Sequence, residues 1–186
     1  YTTLFRSAGV ASAVIGTIEY RWHERARKAP NTTPLALDLH ELLYRIRQDG
    51  VRHVAMEISS HSLVLHRVDG LLFQAAAFTN LSPEHLDFHR DLEDYGKAKA
   101  ILFERHLEPD GIGVINTDDA HGHNLFARLP GDRRLSFGLG PGVDITAEDI
   151  RRSQLETVFD LKTPGWSRRL RSPHVGEHNL RNMLGA

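Results

Sequence analysis

The 186-residue sequence contains no cysteine, which excludes disulfide scaffolds, thiol catalysis and thiolate-held zinc. No apolar run approaches the roughly 18 residues that a membrane span requires, and no signal-peptide pattern opens the chain. These absences predict a cytoplasmic protein with no membrane partner. Charge of one sign is missing too: 23 Lys and Arg stand against 24 Asp and Glu, a net charge of −1. Without a basic block, nucleic acid held by bulk electrostatics is not an expected partner. There is no internal repeat and no low-complexity tract. A phosphate-cradling loop of the form Gly-x-x-x-x-Gly-Lys-Ser/Thr is also absent. The only Gly-Lys step, Gly96-Lys97, is followed by Ala98 and sits in a helical stretch, and the Gly138–Gly142 run has the wrong spacing for a dinucleotide loop.

What remains is an ordinary folding composition, 40% hydrophobic and 25% charged, with the length of one domain. Ala11–Gly16 reads as a buried strand, and Glu19–Asn31 as a loop. Thr33-Pro34 fits a helix start, with Thr as the cap. Leu35, Leu39, Leu42, Leu43 and Ile46 then recur on one face as far as Gln48, and Asp49-Gly50 stops the helix. Val51–Ile58 is a strand and Ser59–Leu65 a helical turn. Leu72–Thr79 is a strand apolar enough to be buried on both faces. Asp91–Leu107 is a helix with Leu92, Tyr95, Ala98, Leu102 and Phe103 inward. Gly113–Asn116 and Arg133–Phe137 are strands flanking a helix at Ala120–Leu129. This alternation predicts an α/β fold with a mostly parallel sheet and helices on both faces over residues 1–137. Asp144–Thr146, Leu155–Leu161 and Ser167–Leu170 form a small antiparallel β patch within 138–175. Residues 176–186 start a further helix, and Tyr1–Gly9 reads as a helix tail running into a strand.

Ligands of open parallel sheets bind at the carboxyl ends of the strands. There the sequence places Glu57-Ile58-Ser59-Ser60-His61, then Thr79-Asn80-Leu81 with Glu84–His89, then Asn116-Thr117-Asp118-Asp119. Glu57 suits either a helix-capping carboxylate or a hard oxygen ligand for Mg²⁺ beside a phosphate. His61, His85 and His89 could make a zinc site, but the helical His-Glu-x-x-His pair is absent. Most of the 12 histidines read as solvated or hydrogen-bonded background.

Eight blocks in order resemble the central, ATP-binding domain of the Mur ligases. They are Ile15–Ile18, Asn31–Pro34, Met56–Leu63, Phe78–Ser82, His85–His89, Tyr95–Lys99, Asn116–Asp119 and Gly176–Asn179. Within the family, Glu57-Ile58-Ser59-Ser60-His61 and the Thr-Thr-Pro block resemble the MurE branch, which adds the third amino acid to UDP-N-acetylmuramoyl-L-alanyl-D-glutamate. The resemblance implies a P-loop-NTPase-like fold and amide-bond formation driven by ATP. It implies that Asn31, Thr32, Thr33, Ser59 and Arg67 hold the UDP-muramoyl dipeptide, and that Glu57 and His85 ligate Mg²⁺. Lys99 matches a lysine carried as a carbamate. Asn179, with His178, matches the contact to the adenosine end of ATP, and Asn80 lies in a motif near the nucleotide. The implied partners are the UDP-MurNAc-dipeptide and an amino acid, diaminopimelate or lysine, with the protein a monomer. Leu65 stands where a glutamine often contacts substrate, and Glu84 replaces a usual Asp. The missing phosphate loop and flanking domains imply a fragment of a three-domain enzyme. The alternatives are a ligase of the folylpolyglutamate or cyanophycin synthetase type, or a non-catalytic nucleotide-binding module.

Overall fold

The structure is a computed structural model that describes residues 9–83 and 86–185. The expected helix tail over residues 1–8 and the Glu84-His85 step lie outside the described residues. The chain divides into two compact units, residues 1–71 with 97–101, and residues 72–96 with 102–186.

The first unit holds a four-stranded sheet of order β3-β2-β1-β4, made of β1 (Ser12–Ile15), β2 (Glu19–Trp22), β3 (Arg25–Lys28) and β4 (His53–Met56). β1 and β4 are parallel and are connected through helix α1 (Ala36–Gln48), as a parallel pair requires. The loop expected over Glu19–Asn31 is instead an antiparallel hairpin of β2 and β3. Its basis is a period-two pattern masked by charge: Tyr20 and Trp22 are buried, and Glu19 and Arg21, which alternate with them, are not. Asp49 at the end of α1 anchors the hairpin, accepting the Trp22 indole N–H at 2.7 Å and pairing with Arg25 at 3.3 Å.

Leu39, Leu42 and Ile46 of α1 are buried as expected. Leu35 is not, at 52% exposed. It is the extended residue before the first turn, with ψ 154°, so its side chain is outside the helical register. Thr33 does not cap α1, which has no side-chain cap; its hydroxyl serves the site described below. Helix α2 (Ser60–Val64) is capped by Ser59, which accepts the Ser62 N–H.

The second unit contains a parallel sheet of order β5-β6-β7, formed by β5 (Phe73–Phe78), β6 (Leu107–Asn116) and β7 (Arg134–Phe137). Helix α3 (Leu92–Arg105) connects β5 to β6, although its residues Lys97–Ile101 group with the first unit. Helix α4 (Ala120–Arg128) connects β6 to β7. β5 is not buried on both faces: Ala76 and Phe78 are buried, while Gln74, Ala75 and Ala77 are exposed. Methyl groups cost little to leave in water, so the apolar run alone could not tell one buried face from two.

The antiparallel patch is a sheet of order β10-β9-β8, from β8 (Thr146–Arg152), β9 (Thr157–Thr163) and β10 (Trp166–Ser172). Helix α5 (Glu177–Leu184) follows. Phe137, Ala147, Phe159, Leu180 and Leu184 share one buried cluster that ties the patch and α5 to the end of β7. No helix among the described residues is long and apolar enough to cross a membrane.

Candidate functional site

In the first unit, the carboxyl ends of β1 and β4 lie side by side because the two strands are parallel and in register, with Ile15 opposite Met56. Beyond them the chain turns polar. Glu57 is held by its own backbone, whose N–H donates to Ile15 O at 2.8 Å. One carboxylate oxygen, Oε2, accepts the Thr17 N–H at 2.9 Å and the Thr17 hydroxyl at 2.6 Å. Gly16 makes this approach possible, since a Cβ there would sit 3.0–3.3 Å from the carboxylate. Thr32 Oγ1 lies 3.2 Å from Thr17 Oγ1.

Thr33, buried to 1% exposure, is the structural centre of this rim. Its hydroxyl donates to Glu57 O at 3.0 Å and accepts the Ser59 N–H at 3.1 Å. Its carbonyl accepts from Arg67 Nη1 at 3.2 Å. Arg67 Nε is buried with no hydrogen-bond partner among the described residues. Arg67 is half-buried and makes no ion pair among the described residues, a charge suited to an anionic ligand. The network thus brings Thr32, Thr33, Glu57, Ser59 and Arg67 together. Asn31 joins through its backbone, its carbonyl accepting the Tyr20 hydroxyl; burial of Tyr20 pushes its phenol above its ordinary pKa. Lys99 sits half-buried in the middle of α3. Leu65 is the exposed residue ending α2.

In the second unit, β5 and β6 end beside each other. Asn116 donates its amide to Thr79 O at 2.6 Å and accepts the Asp118 N–H at 3.1 Å. Asp119 caps α4 through the N–H groups of His121 and Gly122, both at 2.9 Å, and its second oxygen accepts the Leu81 N–H at 3.0 Å. Asn80 is therefore fixed from both sides through its neighbours and is itself half-buried. His178 and Asn179 occupy the exposed first turn of α5. His178 Nε2 lies 3.1 Å from Asn182 Nδ2, and Asn179 Nδ2 donates to Val175 O at 2.8 Å. No hydrogen bond joins Asn80 to this helix among the described residues.

The sequence assigns no role to Thr17 or Asp118, although both lie in blocks that resemble the family. Burial acts to raise the pKa of Asp118, but hydrogen bonds from the Leu139 and Gly140 N–H groups and from Arg181 outweigh it and hold the carboxyl below the usual range.

His85 lies outside the described residues, and among the described residues no three His, Cys, Asp or Glu side chains converge as a metal centre. A cage of protein ligands is not what Mg²⁺ needs: it keeps several waters and takes one or two carboxylates plus phosphate oxygens. Glu57 fits that demand, because its Oε2 is engaged by Thr17 and its Oε1 accepts no hydrogen bond among the described residues.

The family described as Mur ligase middle domain matches residues 2–186. A UDP-N-acetylmuramoyl-L-alanyl-D-glutamate–2,6-diaminopimelate ligase from Thermosynechococcus vestitus is 41% identical over 183 residues, covering 98% of this chain and 37% of the relative. An enzyme of the same name from Solibacter usitatus is 42% identical over 185 residues, covering 99% and 37%. A solved structure of a 2,6-diaminopimelate ligase of this type superposes with a TM-score of 0.86 at 31% identity, covering 98% of this chain and 38% of that one. The chain thus spans a little over a third of the length of the relatives it matches. Parallel strands ending in this polar rim, and sequence agreement along almost the whole chain, lead to one conclusion: the chain belongs to the Mur ligase family, as its middle domain.

Proposed function

We propose that this chain is the central part of an ATP-dependent ligase that joins diaminopimelate to UDP-N-acetylmuramoyl-L-alanyl-D-glutamate in peptidoglycan precursor synthesis. The observation that carries the reading is the Thr17–Thr33–Glu57–Arg67 network, which sets on one rim a carboxylate oxygen that accepts no hydrogen bond and a half-buried guanidinium that makes no ion pair among the described residues. Relatives named for that reaction support the choice of substrates.

In this reading the dipeptide's free carboxylate attacks the γ-phosphate of ATP, giving an acyl phosphate and ADP. The amine of diaminopimelate then attacks the acyl carbon, loses a proton and expels phosphate, leaving the amide. Both reactants of the first step are anions, so the residues must manage charge. Arg67 binds the anionic dipeptide, with Asn31, Thr32, Thr33 and Ser59 orienting it by hydrogen bonds. Glu57 and His85 would hold Mg²⁺, which screens the repulsion and stabilises charge on the transferring phosphoryl group. Lys99, carried as the carbamate its neutral amine forms with CO₂, would supply two further oxygens for a second Mg²⁺. Asn80, His178 and Asn179 hold the nucleotide, the last two at its adenosine end. The protein acts as a monomer in the cytoplasm.

The test is ADP release by the protein encoded by the whole reading frame containing this chain. Release is expected only when MgATP, the UDP-muramoyl dipeptide and diaminopimelate are all present. Arg67→Lys, which loses the planar fork, is expected to raise KM for the dipeptide about tenfold. ADP release independent of the dipeptide, or driven by a folate in its place, would overturn the reading.

A further inference from the structure

The start of α5 is weakly fixed by its own sequence. Its N-cap is Gly176, at φ +96°, with no side-chain capping bond, and residues 173–179 are all exposed. Leu180 and Leu184 bury one stripe of the helix, but an apolar stripe resists rotation and sliding poorly, because dispersion contacts are non-directional. A directional restraint on the body of the helix comes from the carboxyl end of β6. Asp118 accepts Arg181 Nε at 3.1 Å, and the same guanidinium donates to Glu177 Oε1 at 2.5 Å, one turn back. Glu177 in turn pairs with Arg152 of β8 at 3.5 Å.

Asp118 also grips the turn beyond β7. Its Oδ2 accepts the Leu139 N–H at 2.8 Å and its Oδ1 the Gly140 N–H at 3.0 Å. Gly138 leaves room for it: a Cβ there would lie 2.5 Å from Oδ1. One carboxylate therefore locks together a strand end, a turn and a helix start 63 residues away. The adjacent Asp119 is spent on α4 and Leu81, so it cannot substitute.

We propose that Asp118, acting through Arg181, is a positioning residue for the nucleotide: it sets the rotation and register of the first turn of α5, which presents Asn179. The inference rests on the reading that Asn179 contacts the adenosine end of ATP. In this proposal Asp118 acts through its protein partners, the Leu139 and Gly140 N–H groups and Arg181. Its loss leaves the Arg152–Glu177 pair as the remaining ion pair between the first turn and a strand, so the turn shifts, and a misplaced amide weakens binding of the nucleotide rather than the chemistry at its far end.

The experiment uses the protein of the whole reading frame and steady-state kinetics with each substrate varied in turn. Asp118→Asn puts an amide donor against N–H donors, and Arg181→Gln cuts the tether while leaving the turn contacts. Each is expected to raise KM for ATP about tenfold, with kcat and the KM values of the other two substrates within about twofold. Asp144→Asn is the structural control. Asp144 clips the same sheet through Ser136 N–H and Oγ at 2.7 and 2.6 Å, with no hydrogen bond to α5 among the described residues, and KM for ATP should stay unchanged. Asn179→Ala reports on the underlying reading. If it raises KM for ATP and Arg181→Gln does not, the positioning role is refuted and the nucleotide site stands. If Asp144→Asn raises KM for ATP as much as Asp118→Asn does, the effect is general loosening and the proposal fails. If Asn179→Ala itself changes nothing, the nucleotide reading falls and takes the proposal with it. Arg181→Gln keeps the proposal testable should Asp118→Asn not fold.

Discussion

Replacing Thr33 by Val changes almost no volume and removes one hydroxyl. That hydroxyl is the shared partner of two backbone groups, the Glu57 carbonyl at 3.0 Å and the Ser59 N–H at 3.1 Å. Thr33 is 1% exposed, so water cannot reach the hydroxyl's place without movement. Leaving a buried polar group unpaired costs about 1–3 kcal/mol. Two partly buried groups lost together put the cost at about 2–4 kcal/mol, with the extra methyl offsetting under about 1 kcal/mol. With a urea m-value of about 2 kcal/mol per M, the unfolding midpoint should fall by about 0.5–2 M with m unchanged. Thr33→Ser keeps the hydroxyl and loses a methyl group, so its cost should be about 1 kcal/mol. Urea unfolding followed by far-UV circular dichroism measures both. If Thr33→Val unfolds at the wild-type midpoint, or Thr33→Ser falls as far as Val, the hydroxyl is not the clamp between β4 and α2 described here.

Three further outcomes are expected. Gly122→Ala would place its Cβ 2.0 Å from the Asn116 carbonyl oxygen, an overpacking cost of about 3 kcal/mol that should lower Tm by roughly 10 °C; a melt within about 2 °C of wild type would contradict that close approach. Asp118 has its carboxyl held below the usual range, so its contribution to stability is complete above the unfolded value of about 3.9. That contribution is lost as pH falls through the lower folded value, and Asp118→Asn should flatten this acid limb in pH-resolved denaturation; an unchanged limb would assign the acid loss elsewhere. The 186 residues expressed alone should show only background ATP turnover, because the sequence contains no Gly-Lys-Ser/Thr phosphate loop. Substrate-dependent phosphate release from them would disprove that expectation.

The order of helices and strands was open to reading in the sequence because it is written by near neighbours. Leu39, Leu42 and Ile46 repeat at helical spacing and are buried; Asp91 and Asp119, at the starts of the helical stretches, accept the Asp94 and His121 N–H groups. The hairpin of β2 and β3 was hidden, since four exposed residues of β3, Arg25–Lys28, look like a solvated loop until Asp49 and the buried Tyr20 and Trp22 are seen to hold them. The site followed the same division. Its residue types came from blocks that resemble a family, and the comparisons bear out that family. Which polar group meets which was decided by tertiary structure alone. Thr17 reaches Glu57 across 40 residues, and Arg181 reaches Asp118 across 63. A hydrogen bond forms only when both ends are brought within about 3 Å, and packing of the sheets, not any local pattern, closes those loops. Periodicity therefore determined the elements and their order, and only the folded chain decided that Thr33, which the resemblance implies as a substrate contact, is the clamp that holds Glu57 and Ser59 in place.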